Sequence, residues 1–92
     1  MKVVFLDGEK ISGFKDICAA FAAAVPFPED FGSNLDALHD ALTESREPLG
    51  VIAVNAEELK KALGRRAGGF WRLMNDLAEE KPGFYFTEPF KF

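Results

Sequence analysis

The sequence predicts a single α/β domain over residues 1–92, with a three-stranded parallel sheet and helices packed around it. Three short apolar runs, at residues 3–6, 49–54 and 84–87, have the length and the β-branched or aromatic content of strands. Two helical patterns separate each run from the next, which gives the order β-α-α-β-α-α-β. Because strands joined by such long crossovers pair in parallel, we expect a parallel sheet.

The first strand and helix follow from residues 3–25. The run Val3–Leu6 is apolar throughout and is closed by Asp7-Gly8, which predicts a strand that is buried on both faces. We expect Ser12 to cap a helix from about Phe14 to Val25. Apolar side chains recur along this helix at helical spacing and form one core-facing stripe of Phe14, Ile17, Cys18, Phe21 and Val25.

The remaining elements are marked by caps and breaks. Ser33 or Asn34 caps a second helix that ends near Thr43, and residues 49–54 form a second buried strand. Asn55 and Glu58 resemble a capping box that opens a third helix, which ends at Gly64. We expect Gly68-Gly69 to interrupt the chain before a fourth helix at residues 70–80, which stops at Lys81-Pro82-Gly83.

Composition and charge restrict the function. Fifteen acidic residues against 11 basic ones give a net charge of −4, which disfavours direct nucleic-acid binding and favours a basic partner. The one cysteine, Cys18, allows no intramolecular disulfide, as is usual in a reducing compartment. The first apolar run is too short for a signal peptide or a membrane span. We therefore expect a cytoplasmic protein that does not contact membranes and is a monomer when free.

The second helix combines a leucine side with an acidic side. At 100° per residue, Leu35, Leu38 and Leu42 share one side, and Asp36, Asp40 and Thr43 lie nearly opposite. His39 lies on the seam between the two sides. Because Asp36 and Asp40 are one helical turn apart, their negative fields add over one small patch. The pattern predicts an acidic surface suited to a cationic cleft on a partner.

Other interpretations of these residues stay open. An exposed acidic strip is most often only a solvated surface. Asp36 and Asp40 could act as a paired acid and base, but a short convex helix offers no substrate cleft. Asp36, His39 and Asp40 could bind a metal, although closed sites usually need further His or Cys ligands. Cys18 lies on the apolar stripe, which argues against a Cys–His catalyst. We therefore expect no enzyme activity, metal or cofactor.

Residues 28–43, PEDFGSNLDALHDALT, resemble the barstar family of intracellular inhibitors of barnase-like bacterial ribonucleases. The family shows Pro-Glu, two aromatics, Gly-x-Asn-Leu-Asp-Ala-Leu, an aromatic, and Asp-Ala-Leu-Thr. The resemblance implies a barstar-like fold and an inhibitor, or immunity protein, whose loop and second helix block the active site of a ribonuclease by imitating RNA phosphate.

The same resemblance implies roles for individual residues. Asp40 would enter the phosphate-binding pocket of the enzyme, and Asp36 would pair with a neighbouring basic group. Asp76, on the last helix, matches a further acidic contact position. The implied interface consists of Asp30, Phe31, Gly32, Asn34, Leu35, Asp36, His39, Asp40, Thr43, Glu44 and Asp76.

Two positions depart from the family pattern. Asp30 and His39 stand where the family has aromatic residues. Aromatic anchors usually carry much of the binding energy of an interface. These departures favour an alternative in which an immunity or regulatory module of the same fold binds a different toxin or basic protein.

Overall fold

A computed structural model describes residues 1–25 and 34–88 and confirms a three-stranded parallel sheet with helices packed around it. The central strand is β2, which pairs in parallel with both β1 and β3. The elements in chain order are β1 (Lys2–Asp7), α1 (Phe14–Ala22), α2 (Leu35–Glu44), β2 (Leu49–Val54), α3 (Ala56–Leu63), a 3-10 turn (Gly64–Arg66), α4 (Ala67–Glu80) and β3 (Phe84–Thr87).

The helices cover one face of the sheet. In β1 the side chains of Val4 and Leu6 are buried, whereas Val3 and Phe5 are exposed. The prediction that this strand is buried on both faces is therefore wrong. A continuous apolar run does not by itself determine two-sided burial, and here the helices that contact the sheet pack on the side of Val4 and Leu6.

One core lies between the sheet and the helices. The stripe predicted for α1 is confirmed, since all five of its residues are buried. Cys18 belongs to this core and is 5% exposed. No helix in residues 1–25 or 34–88 is long and apolar enough to cross a membrane.

The start of α1 differs from the prediction. The helix begins after Gly13, and the side chain of Ser12 caps no helical N–H. Instead the backbone N–H and the hydroxyl of Ser12 donate to Oδ2 of Asp16, at 2.8 and 2.9 Å. These two hydrogen bonds, the backbone one first, lower the pKa of Asp16. α1 ends at Ala22, three residues before the predicted end.

Asn55 has another role than the predicted cap. Its backbone is left-handed (φ 54°), and its side chain caps no helical N–H. Its amide Nδ2 donates to Asp7 Oδ1 at 2.9 Å and to Glu9 Oε1 at 3.0 Å. Asp7 also accepts from the backbone N–H of Glu9, and these bonds, that from Asn55 first, lower the pKa of Asp7. Asn55 thus ties the carboxyl ends of β1 and β2 together.

The glycine pair that was predicted to precede α4 does not break the helix. Gly68 and Gly69 lie inside α4, which begins at Ala67 rather than at Phe70. A methyl group added at Gly69 would lie 2.9 Å from Cδ1 of Leu35. The lack of a side chain at Gly69 therefore lets α2 and α4 approach closely, which explains glycine at a position with poor helix propensity.

Candidate docking surface

α2 presents its two sides as its sequence pattern predicts. Asn34 is the N-cap and accepts a 2.8 Å hydrogen bond from the backbone N–H of Ala37. Leu38 and Leu42 are buried and Leu35 is half-buried. The predicted outward side, which consists of Asp36, Asp40 and Thr43, is exposed, and His39 on the seam is exposed as well. The geometric part of the prediction is therefore confirmed.

The carboxylates of this side remain available to a partner. Asp36 forms no hydrogen bond or ion pair with any residue that the structure describes. The side chain of Asp40 is 79% exposed, and its Oδ1 lies 3.7 Å from Nδ1 of His39, which is itself 55% exposed. No Lys or Arg in residues 1–25 or 34–88 pairs with either aspartate. Both carboxylates can therefore accept hydrogen bonds from an incoming cation.

α4 adds further charged residues beside α2. A groove of about 210 Å³ lies between the two helices. Its floor is apolar, and its rim carries the carboxylates of Asp36 and Asp76 and the guanidinium of Arg72. The lining residues are Leu35, Asp36, His39, Gly69, Arg72, Leu73 and Asp76. We name the exposed side of α2, together with Asp76 of α4, the acidic face.

A second groove continues along the same seam. It has a volume of about 430 Å³ and is lined by His39, Thr43, Leu77, Glu80, Lys81 and Pro82. His39 belongs to both grooves and stands where they meet. The sequence-based argument that a short convex helix offers no cleft is therefore incomplete, because the cleft comes from the pairing of α2 with α4. Both grooves are open and shallow rather than enclosed.

Lys81 holds the end of α2, a role that no sequence pattern indicated. Its Nζ donates to the backbone oxygens of Leu42 at 2.6 Å, of Thr43 at 3.3 Å, and of Ser45. A cation there satisfies carbonyl groups that the end of a helix leaves without partners, and it complements the helix dipole. Lys-Pro-Gly looks only like a helix stop, because the contact spans 36 to 39 residues of sequence.

The remaining residues of the predicted interface differ in whether the structure describes them and where it places them. Asp30, Phe31 and Gly32 lie outside the described residues. Glu44 is exposed at the last position of α2, and Asp76 is exposed on α4. Arg72 and Lys81 lie in the grooves and were missed by the sequence analysis. Burial of Cys18 in the core agrees with the argument against a Cys–His catalyst.

The arrangement of His, Cys, Asp and Glu residues tests the possibility of a metal site. Within the parts of the chain that the structure describes, no group of three or more His, Cys, Asp or Glu residues is arranged to hold a metal ion. Asp36, His39 and Asp40 therefore form no such group there.

The fold and the acidic face define a class of protein: a small α/β domain that displays carboxylates on a short helix braced by a second helix. Comparison with protein families shows which family this is. The model of the family Barstar (barnase inhibitor) matches residues 1–88, and the chain belongs to the barstar family. A search of the curated proteins gave no match.

Proposed function

We propose that this protein inhibits a barnase-like ribonuclease by placing its acidic face in the RNA-binding cleft of the enzyme. The observation that carries the proposal is the pair of outward carboxylates, Asp36 and Asp40, on one side of α2 with no basic partner among the described residues. Membership of a family of barnase inhibitors supports it. In this role the chain is an immunity protein that needs no cofactor and catalyses no reaction.

The mechanism follows from the charge of the two surfaces. A ribonuclease must bind a polyanion, so its cleft is lined with cations. In the complex, the carboxylate of Asp40 takes the place of an RNA phosphate, Asp36 pairs with a neighbouring basic group, and Asp76 extends the contact along α4. Charge-assisted hydrogen bonds of this kind are short and strong. The body of the domain then excludes RNA sterically.

The bracing of α2 makes the acidic face effective. Leu38 and Leu42 anchor the helix in the core, the side chain of Asn34 caps its first turn, and Lys81 holds its last turn. A surface that is already held in its binding conformation loses little entropy when it docks. The carboxylates can therefore enter the cleft without first ordering the helix.

Replacing Asp40 tests the proposal. We expect Asp40→Ala to keep the fold, because the side chain is 79% exposed, and to weaken binding to a barnase-type ribonuclease by about 2–5 kcal/mol. Titration calorimetry measures the change. Glu57→Ala, which removes one carboxylate from an exposed position of α3, is the matched control. A loss below about 0.5 kcal/mol for Asp40→Ala, well short of the range for a buried charge pair, would exclude Asp40 from the site.

Salt dependence tests the electrostatic part separately. An acidic surface that approaches a basic cleft is steered by long-range attraction, and salt screens this attraction over a Debye length of about 8 Å at physiological ionic strength. We expect the association rate in stopped-flow measurements to fall steeply as salt is added. An association rate that does not change with salt would contradict steering.

A second candidate function keeps the fold and changes the partner. His39 is half-exposed at the junction of the two α2–α4 grooves, where the family pattern has an aromatic residue. A smaller, polar side chain there favours a partner whose surface differs from that of barnase, such as another toxin or basic protein. Capture of the partner followed by a ribonuclease assay distinguishes the two functions, because the second predicts binding without RNA cleavage.

The setting of this function is part of the proposal. A single cysteine and a net charge of −4 suit a cytoplasmic protein that binds a basic protein and neither nucleic acid nor membrane. Metal analysis of the purified chain tests the remaining alternative, a metal site at Asp36, His39 and Asp40. Stoichiometric metal in the purified protein would contradict the inhibitor mechanism as stated.

A further inference from the structure

His39 lies at the junction of the two grooves between α2 and α4. It lines both the groove of about 210 Å³ and the groove of about 430 Å³, and its side chain is 55% exposed. It is also the one histidine in the chain. Histidine is the residue type whose charge ordinarily changes between about pH 5 and about pH 8. The charge of the acidic face can therefore change with pH at this position.

The neighbours of His39 on its own helix are acidic. Oδ1 of Asp40 lies 3.7 Å from Nδ1 of His39, which is within ion-pair distance when the imidazole is protonated. Asp36 lines the same groove as His39 and precedes it by one helical turn. A proton on His39 is thus accommodated in the free chain by the carboxylates of α2.

α4 places charges of both signs beside the same imidazole. In the first groove they are Arg72 and Asp76, and in the second they are Glu80 and Lys81. The ammonium of Lys81 is already engaged by the backbone oxygens at the end of α2. Counting the two aspartates of α2, four carboxylates and two cations lie near His39. In the free chain a protonated His39 therefore meets no net repulsion from the groups that line the grooves.

We propose that His39 couples docking to pH, so that the chain binds its ribonuclease with His39 neutral and releases it as His39 gains a proton. This inference rests on the inhibitor function proposed above. In the free chain the imidazole is surrounded mostly by carboxylates, whereas in the complex the acidic face meets a cationic cleft. The same proton is favoured before docking and opposed after it, because nearby like charges disfavour the protonated form.

A second effect has the same sign. A protonated His39 forms an ion pair with Asp40 and so competes with the cations of the partner for the carboxylate that takes the place of an RNA phosphate. A neutral imidazole does not compete in this way. Both effects weaken binding as the pH falls.

The size of the effect follows from the neutral fraction of the imidazole. Where only the neutral form docks, the dissociation constant rises in inverse proportion to that fraction. We expect His39 to raise the dissociation constant about fivefold or more between about pH 7.5 and about pH 5.5, since histidine ordinarily gains its charge within this interval. Side-chain carboxylates ordinarily stay ionised throughout the interval, so the loss of acidic charge does not account for the change.

Titration calorimetry with a barnase-type ribonuclease at the two pH values tests the coupling. The partner has titratable groups of its own, so the quantity compared between variants is the ratio of the dissociation constants at low and high pH. This ratio should be about fivefold or more larger for the wild type than for His39→Gln, whose side chain is uncharged at both pH values. Glu57→Gln, which removes one carboxylate from an exposed position of α3, is the control and should keep the wild-type ratio. Thermal unfolding confirms that each variant is folded.

NMR gives a second readout that needs no substitution. When the chain is isotopically labelled and the ribonuclease is not, the single histidine gives one set of imidazole signals. Because coupling between two binding events is reciprocal, docking must oppose protonation as strongly as protonation opposes docking. At about pH 5.5 the imidazole should therefore be more protonated in the free chain than in the complex.

The outcomes separate this inference from the inhibitor function. Equal ratios for the wild type and His39→Gln, or an imidazole equally protonated in the free and bound chain, would overturn the coupling and leave the inhibitor function in place. A smaller ratio for the wild type than for His39→Gln would also overturn it, because the docked imidazole would then face carboxylates of the partner. Failure of the wild type to bind at about pH 7.5, where histidine is ordinarily neutral, would overturn both proposals.

Discussion

The acidic face and the outer sheet face, by which we mean the exposed side of the sheet with Val3, Phe5 and Tyr85, are two surfaces of one small domain. They are supported in opposite ways. The acidic face displays carboxylates on a helix that is anchored in the core by Leu38 and Leu42 and held at its end by Lys81. The outer sheet face displays the aromatic rings of Phe5 and Tyr85, and no helix among the described residues buries them. On the acidic face, buried leucines hold the exposed carboxylates in position. On the outer sheet face, the large apolar side chains are themselves exposed to solvent.

This difference separates the residues that stabilise the fold from those available for binding. Asp36 and Asp40 repel each other by a few tenths of a kcal/mol in an isolated helix, so their presence at this spacing does not help α2 to form. The leucines behind them supply the favourable free energy. Phe5 is as large as any core residue, but in a free monomer its exposed ring contributes little to folding.

The largest expected effect contrasts a buried leucine with an exposed phenylalanine. Leu38 is fully buried, so Leu38→Ala should lower the free energy of unfolding by about 2–5 kcal/mol. Phe5 is 64% exposed, so Phe5→Ala should change it by no more than about 0.5 kcal/mol, although it removes more atoms. Urea unfolding measures both. Equal losses would show that the outer sheet face is covered in the monomer.

A smaller effect concerns the support of α2 at its end. Lys81→Met should lower the free energy of unfolding by about 1–2 kcal/mol, because it removes a half-buried cation that satisfies carbonyls at the end of the helix. Lys2→Met breaks the exposed pair with Glu47 and should cost about 0–1 kcal/mol. Urea unfolding of both variants tests the contrast. Similar losses for the two lysines would refute the specific role of Lys81.

The sequence predicted the elements well because their signals are local. The order of strands and helices, the stripe of α1, and the leucine and aspartate sides of α2 all follow from periodicity within one element. The cap at Asn34 and the stop at Lys81 have short motifs of their own. Each of these features depends on residues that are close in sequence, so each could be inferred before the structure.

The errors concern contacts between elements. Gly69 looks like a break until Leu35 is placed against it, and Asn55 looks like a cap until its amide reaches Asp7. The one-sided burial of β1 depends on where the helices pack, which its own residues do not encode. The grooves beside His39 have the same origin, since they exist only where α2 meets α4. The supports of the site were therefore less predictable than its charges.

The cap of α2 offers a finer test of how firmly the acidic face is held. Asn34→Ala should lower the free energy of unfolding by about 1 kcal/mol, because it leaves the N–H of Ala37 without its acceptor. Asn34→Gly should cost only a few tenths of a kcal/mol, since glycine is itself a tolerated N-cap. Urea unfolding measures both variants. If alanine and glycine cost the same, the side-chain hydrogen bond contributes nothing.

The smallest effect is a dependence of stability on pH that arises at the end of β1 and the start of α1. Hydrogen bonds from Asn55 and from the backbone N–H of Glu9 lower the pKa of Asp7, and those from Ser12 lower the pKa of Asp16. A carboxyl whose pKa is lower in the folded state than its ordinary value of about 4 adds stability above that value. This stability is lost as the pH falls through the lowered pKa, because the unfolded chain binds its protons first.

Asn55→Gly isolates the contribution of Asp7, since glycine accepts the left-handed backbone but lacks the amide. The variant should lose less stability than the wild type between pH 5 and pH 2, an interval of about 3 pH units that spans the ordinary pKa of aspartate. Asn75→Gly, at an exposed position of α4, should lower stability by a similar amount at every pH. Urea midpoints across this range provide the comparison. Parallel curves for Asn55→Gly and the wild type would mean that the amide of Asn55 does not set the pKa of Asp7, and that its role is confined to joining the ends of β1 and β2.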